Sequence, residues 1–277
     1  MTHADPPPAH PAAPAPKRSL ADVRRNVVRV AGLAAVLAVV LAFVAVVGFR
    51  QGWLSYGVAS GGVMRTAVPS AALLAVVFGV LGLVLAFLAK PREGVVGSLA
   101  AVALGAVVFA VWSLGTATDA KAPPVHDVST DWSDPPMFSP RLNQLRGAKA
   151  NPVELAPVVP EGPRGGVMSR PVAMVNRETC PAAAPVVLTA SFGQGYDRLK
   201  AAVTAQKMAI VTDDPQGGRL EATAARGLYG LRDDLVGRVR LEGAGVRIDL
   251  RSIARAGLSD GGANCERITR IRERLAG

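Results

Sequence analysis

Histidine, cysteine and aromatic side chains are all scarce: the 277 residues include three histidines, two cysteines and 5% Phe, Trp and Tyr. His3 and His10 fall in a proline- and alanine-rich tail, so His126 stands alone beside ordered sequence and a multi-histidine metal centre is excluded within one chain. Glycine pairs such as Gly165-Gly166 and Gly261-Gly262 lack the Lys-Ser/Thr that completes a phosphate loop. A Ser-His-Asp set would have to be built on His126 alone, and a metal or acid/base set of His126, Asp127 and Asp131 has no second histidine. No catalytic residue, cofactor or metal ligand is therefore assigned, and a binding or structural role is expected ahead of an enzyme. Charge is also low, at 19% Asp, Glu, Lys and Arg, while half the chain is hydrophobic. That balance leaves the soluble range and points to a membrane protein.

Three apolar runs, Val30 to Phe49, Ala67 to Ala89 and Val95 to Leu114, contain no internal charge. Each has about the 20 residues that a helix needs to cross the hydrocarbon layer. Lys17, Arg18, Arg24, Arg25 and Arg29 precede the first run, whereas the loop after it carries only Arg50 and Arg65. Positively charged flanks stay in the cytoplasm, so the N-terminus is expected there and everything after about Gly115 outside it. Trp53, Tyr56 and Trp112 then fall at the outer interface, where amphipathic rings prefer to sit. Small residues at Gly48 and Gly52, Gly79 and Gly82, and Ala101 and Gly105 suit close helix packing in a three-helix bundle. The absence of charge inside the runs disfavours a channel or transporter.

Four regions follow: a disordered cytoplasmic tail over 1–26, a three-helix transmembrane anchor over 27–115, a proline-rich extended segment over 116–185 and an α+β domain over 186–277. Proline pairs at Pro123-Pro124 and Pro135-Pro136 limit regular structure in the third region, apart from a short helix near Pro140 to Leu145. In the fourth, Gln194 to Lys207 reads as a helix with Tyr196, Leu199 and Val203 on one face, and Gly262 to Leu275 as a second, capped by Ser259 or Asp260. Strands are expected around 186–189, 208–212, 219–225, 235–242 and 246–253, the last two joined by a hairpin at Gly243-Ala244-Gly245. The fold class is thus a membrane-anchored α+β protein: three transmembrane helices, then an antiparallel sheet with two packed helices.

Strand alternation directs Leu235, Val239, Leu241, Val246, Ile248 and Leu250 toward the helices, and Arg238, Arg240, Glu242, Arg247, Asp249 and Arg251 the other way. The charged face is either a solvated ladder of salt bridges or a surface that accepts an anionic group. Basic residues are not gathered into one patch, so nucleic acid is not expected as a partner. Cys180 and Cys265 both fall in the half assigned outside the cytoplasm, where one bridge between them is expected, the alternative being two buried thiols.

The segments PPVHDVSTDWSDPPMF (123–138), GRLEATAARGLYGLRDDLVGRVR (218–240) and RIDLRSIARAGLSDGGANCERI (247–268) resemble the domain of unknown function 1499 family over about 150 residues. Fusion to N-terminal membrane helices is similar to what some members show. The sequence departs from the family pattern at Cys265, where a small residue is usual, and at Leu228-Tyr229, where an aromatic pair is common. The resemblance implies that Asp233, Asp234, Arg238, Asp249, Arg251, Ser252, Arg255, Ser259, Asp260 and Asn264 are motif positions, and it names no reaction. From these, Arg238, Arg251 and Arg255, oriented by Asp233 and Asp249, form the candidate ligand site for an anionic lipid headgroup, a glycan or a carboxylate of an envelope protein. The rival reading is an internal network that fixes the loop from Ala256 to Gly261. A hydrolase would need a concave site around Asp233, Asp249 and Ser252. The expected setting is the inner membrane of a bacterium.

Overall fold

The computed structural model describes residues 19–121, 124–159 and 170–277; of the tail expected to be disordered over 1–26, residues 1–18 lie outside the described residues and residues 20–26 are helical, in the first turns of the helix Leu20–Arg50. The chain divides into two compact units, one of Met1–Val40 with Ala67–Ala110, the other of Leu41–Thr66 with Val111–Gly277. Among the described residues three helices are long and apolar enough to cross a membrane. These are α1 (Leu20–Arg50), α2 (Val68–Leu88), which continues a π-helical stretch at Gly57–Ala67, and α3 (Val95–Lys121).

Within the first unit the helices meet on small side chains, with Ala31, Ala35, Ala75 and Ala101 forming a buried cluster. A Cβ added at Gly79 would lie 2.6 Å from Val102 Cγ2, and one added at Gly105 would lie 2.8 Å from the Ala72 carbonyl oxygen. These small residues therefore serve contacts inside the chain, where backbones approach too closely for a larger side chain. Arg24 is buried at the turn between α2 and α3, donating to the Ala89 carbonyl at 3.0 Å and to Glu93 at 3.1 Å.

The second unit carries the α+β domain. Its elements in chain order are β1 (Asp127–Ser129), α4 (Pro140–Arg146), α5 (Val172–Thr179), β2 (Val186–Leu188), α6 (Phe192–Thr204), β3 (Ala209–Asp214), β4 (Arg219–Arg226), β5 (Leu231–Glu242), β6 (Gly245–Ala254) and α7 (Ala263–Ala276). The sheet is antiparallel in the order β1-β6-β5-β4-β3, and β2 pairs with the far end of the same edge of β6. Glu242 pairs with Gly245, so β5 and β6 turn on Gly243-Ala244, with Gly243 at φ 57°.

Helix α6 starts at a capping box in which Ser191 and Gln194 satisfy each other's backbone amides. Its Tyr196, Leu199 and Val203 meet Ile268, Ile271 and Leu275 of α7 and Leu235, Val239, Ile248 and Leu250 of the sheet in one dry core. Leu241 departs from the alternation expected of it: it is 74% exposed, one residue from the hairpin turn and beyond the helical cover.

On the opposite face residues 124–155, part of the expected proline-rich extended segment, form a strap. Strand β1 adds to the sheet edge, and Phe138 and Leu142 bury against Val236 and Ile253. Helix α4 begins where expected, with Ser139 capping the Leu142 amide and proline in the first turn. Helix α5 was not legible, because Pro171 and Pro181 bracket it too closely. Asn176 ties it to the sheet edge through a 3.0 Å bond to the Asp127 carbonyl. The disulfide between Cys180 and Cys265, with Cα atoms 5.7 Å apart, then links the end of α5 to α7.

Candidate functional site

On the strap face, alternation brings Asp234, Val236, Arg238 and Arg240 of β5 beside Ile253, Arg251, Asp249 and Arg247 of β6. The ladder is not solvated, as one sequence reading had it: Asp234, Asp249 and Arg251 are fully buried. Coverage by the strap is the reason, since it delivers carboxylates and carbonyls that complete the arginines' hydrogen bonds.

Three clusters result. Asp249 accepts from Arg238 at 3.2 Å, Arg240 at 2.6 Å and Arg247 at 2.8 Å. The excess positive charge there is balanced by Asp131, 2.7 Å from Arg247, and by Asp134, 2.7 Å from Arg240. In the second cluster Arg251 holds Asp127 of β1 with both ends of its guanidinium, at 3.0 and 2.7 Å, and donates to the Glu154 carbonyl at 2.6 Å. The Trp132 ring lies over it with 5.2 Å to the centroid. In the third, Asp234 takes two 2.8 Å bonds from Arg255, one of 2.6 Å from Arg146 of α4 and one of 2.6 Å from Thr223.

Asp233 points to the helix side instead. Its partners are Arg226 at 2.9 Å and Arg267 of α7 at 2.9 Å. Arg267 also reaches Ser252, whose hydroxyl lies 2.8 Å from Asn264 Oδ1. Asp233 and Asp249 thus stand on opposite faces of the sheet, and Arg238, Arg251 and Arg255 belong to separate pairings. The expected convergence of these five residues at one point does not occur.

Electrostatics follow burial. Desolvation raises the Asp127 carboxyl above its ordinary range against the pull of Arg251, and raises Asp260 against two backbone amides. Burial lowers the Arg146 guanidinium despite Asp234. At Asp131 burial acts upward, yet bonds from Ser133 and Asp134 and the charge of Arg247 bring its carboxyl below the usual value. Asp260 sits three residues before the first residue of α7 and accepts from the Gly262 and Asn264 amides at 2.7 and 3.0 Å, which caps the helix.

Beside the strap lies a cleft of about 680 Å³ lined by Thr130, Trp132, Asn176, Arg177, Cys180 and Arg247, among others. Arg247 reaches it from the Asp249 cluster, and the disulfide forms part of its wall. Arg177 on α5 has no acidic partner among the described residues. Sequence reasoning missed this place: Arg177 is an ordinary surface arginine until α5 and β1 are placed side by side. It also missed Asp127 as the partner of Arg251, because the apolar residues of this stretch, Val125 and Val128, lie three apart and give no strand alternation.

Gly257-Leu258-Ser259-Asp260-Gly261 has the spacing of a nucleophile elbow between a strand and a helix. Here Ser259 Oγ accepts from the Gly261 amide at 3.2 Å, and His126 Nδ1 lies 3.4 Å from the Leu258 carbonyl oxygen. Asp260, which follows the serine, is engaged as the α7 cap.

These features define a class: a disulfide-linked α+β domain with helices on one face of an antiparallel sheet and a proline-rich strap on the other, following three apolar helices. Residues 127–275, which are 149 of the 277, match the family described as protein of unknown function (DUF1499), and the chain belongs to that family. No curated protein matches the chain.

Proposed function

We propose that this protein is a non-catalytic binding module held at the inner membrane of a bacterium, with its N-terminus in the cytoplasm and its α+β domain outside it. The arginine-rich flank of α1 supports that orientation, and the Cys180–Cys265 bridge suits an oxidising compartment. The ligand is an anionic group of a lipid, a glycan or an envelope protein.

The carrying observation is Arg177, a cation on the cleft wall with no acidic partner among the described residues. Arg238, Arg251 and Arg255, with Asp233 and Asp249, act in this reading as the framework that fixes the cleft. Their neutralisation by neighbouring carboxylates favours that role over direct capture of a ligand. Calorimetric titration of the full chain in detergent tests it, with inorganic phosphate, galacturonate and a poly-glutamate peptide as probes. Saturable binding of one probe, lost in Arg177→Ala, is expected. No saturable heat with any of the three would leave the purely structural reading in its place.

A further inference from the structure

A second surface lies at the end of the sheet where β4 turns into β5. Tyr229 in that turn packs edge-on against Phe49, at 5.9 Å between ring centroids, and against Tyr56, at 6.1 Å; the latter two rings are 5.7 Å apart. Phe49 ends the apolar run of α1, and Tyr56 begins the chain's return. The loop between β6 and α7 reaches the same place, since a Cβ on Gly257 would lie 3.4 Å from the Tyr56 ring. Two loops of the α+β domain are therefore seated on the end of a helix long enough to cross a bilayer.

The residues beside these contacts are apolar and uncovered. Leu228 is 70% exposed next to Tyr229, Leu258 is 59% exposed next to Gly257, and Trp53 is 75% exposed three residues after α1 ends. Arg50 and Arg232 flank them, both exposed. Leucine and tryptophan at the level of a helix end, with arginine around them, match the chemistry of a bilayer's headgroup layer, apolar below and anionic above.

We infer that the Leu228 and Leu258 loops insert into the outer headgroup layer of the membrane, so that the domain rests on the lipid surface through a fixed end of its sheet. This deepens the anchor part of the proposed function and does not depend on the cleft's ligand. It also accounts for the position of Tyr229, which pins the two loops to the helix end at the depth where leucine side chains gain from leaving water.

The test is a set of single-cysteine variants of the full chain, Leu228→Cys, Leu258→Cys, Leu241→Cys and Val77→Cys, labelled with an environment-sensitive fluorophore. The native cysteines are bridged and take no label. The chain is reconstituted in phosphatidylglycerol–phosphatidylethanolamine vesicles carrying a doxyl quencher. Leu241 is as exposed as Leu228 but lies toward the other end of the 12-residue β5, on the order of 35 Å away. Val77, in α2, reports insertion of the helices themselves.

Blue-shifted emission lost to the quencher at 228, 258 and 77, with none lost at 241, is expected. Quenching at 77 but not at 228 or 258 overturns the inference and leaves the anchor standing. No quenching at 77 overturns both. Protection of 228 and 258 with cross-linking between copies would assign the surface to a second chain instead, and also overturns it.

Discussion

The two faces of the sheet are built on opposite principles. The helix face is closed by α6 and α7 with Tyr196, Leu199, Ile268 and Leu275, and apart from the Asp233 corner it contains little that needs a hydrogen bond. The strap face buries arginines and carboxylates, and succeeds because each carboxylate meets at least one guanidinium held by a second or third group. On the first face nearly any apolar residues of the right volume serve. On the second, each charged residue requires its partner, since an unpaired buried charge destabilises far more than a pair stabilises.

The bridge between Cys180 and Cys265 joins the two sides, and its removal is the largest expected effect. The two residues are 85 apart, and closing a loop of that length is worth about 4 to 5 kcal/mol in chain entropy. Cys180→Ser with Cys265→Ser should lower the unfolding free energy by an amount near that limit, read by denaturant titration with tryptophan emission. A change of under about 1 kcal/mol would mean that α5 is held without it.

On the dry face, Leu199→Ala opens a cavity against Gly237, where a Cβ would stand 2.7 Å from Leu199 Cδ2. A loss of about 3 kcal/mol is expected from the same titration. On the charged face, Arg146→Met should lose less, about 2 kcal/mol, because Asp234 keeps the two-armed grip of Arg255 and the methionine still covers Phe138. A loss at Arg146 equal to or above that at Leu199 would mean that Arg255 alone does not neutralise Asp234.

The smallest effect is at Asp260. Burial raises its folded pKa above the ordinary 3.8, so below that value both states are protonated and nothing is lost. As pH rises from 3.8 through the folded value, ionising the buried group destabilises the fold. Asp260→Asn keeps a side-chain oxygen for the helix cap and lacks this slope. Its midpoint should stay within about 1 kcal/mol of the parent, with the gap shifting in the variant's favour as the pH climbs from acid. A parallel pH profile for the two proteins would contradict the assignment.

Much of the helix face was legible, because amphipathic spacing in α6 and α7 and alternation in β5 and β6 report burial directly. The charged face was legible only in half. Arg-Asp-Asp at 232–234 reads as a turn, yet it lies inside β5, because Arg146, Arg255 and Arg267 neutralise carboxylates that would otherwise stay in water. Those partners come from α4, the strand end and α7, at separations no local pattern reveals. The bridge was expected from compartment and count. The cleft was not, since it exists only once α5 and the strap lie against the β1–β6 edge.

A double-mutant cycle on Asp127 and Arg251 tests most directly that the strap face is a framework. Asp127→Leu and Arg251→Met alone should each lose about 3 to 5 kcal/mol, because each leaves one buried charge without the ionic partner that faces it. The double variant should lose far less than the two together. Additive losses below about 1 kcal/mol, as exposed ion pairs give, would contradict it and return the arginines to the role of a ligand-facing surface.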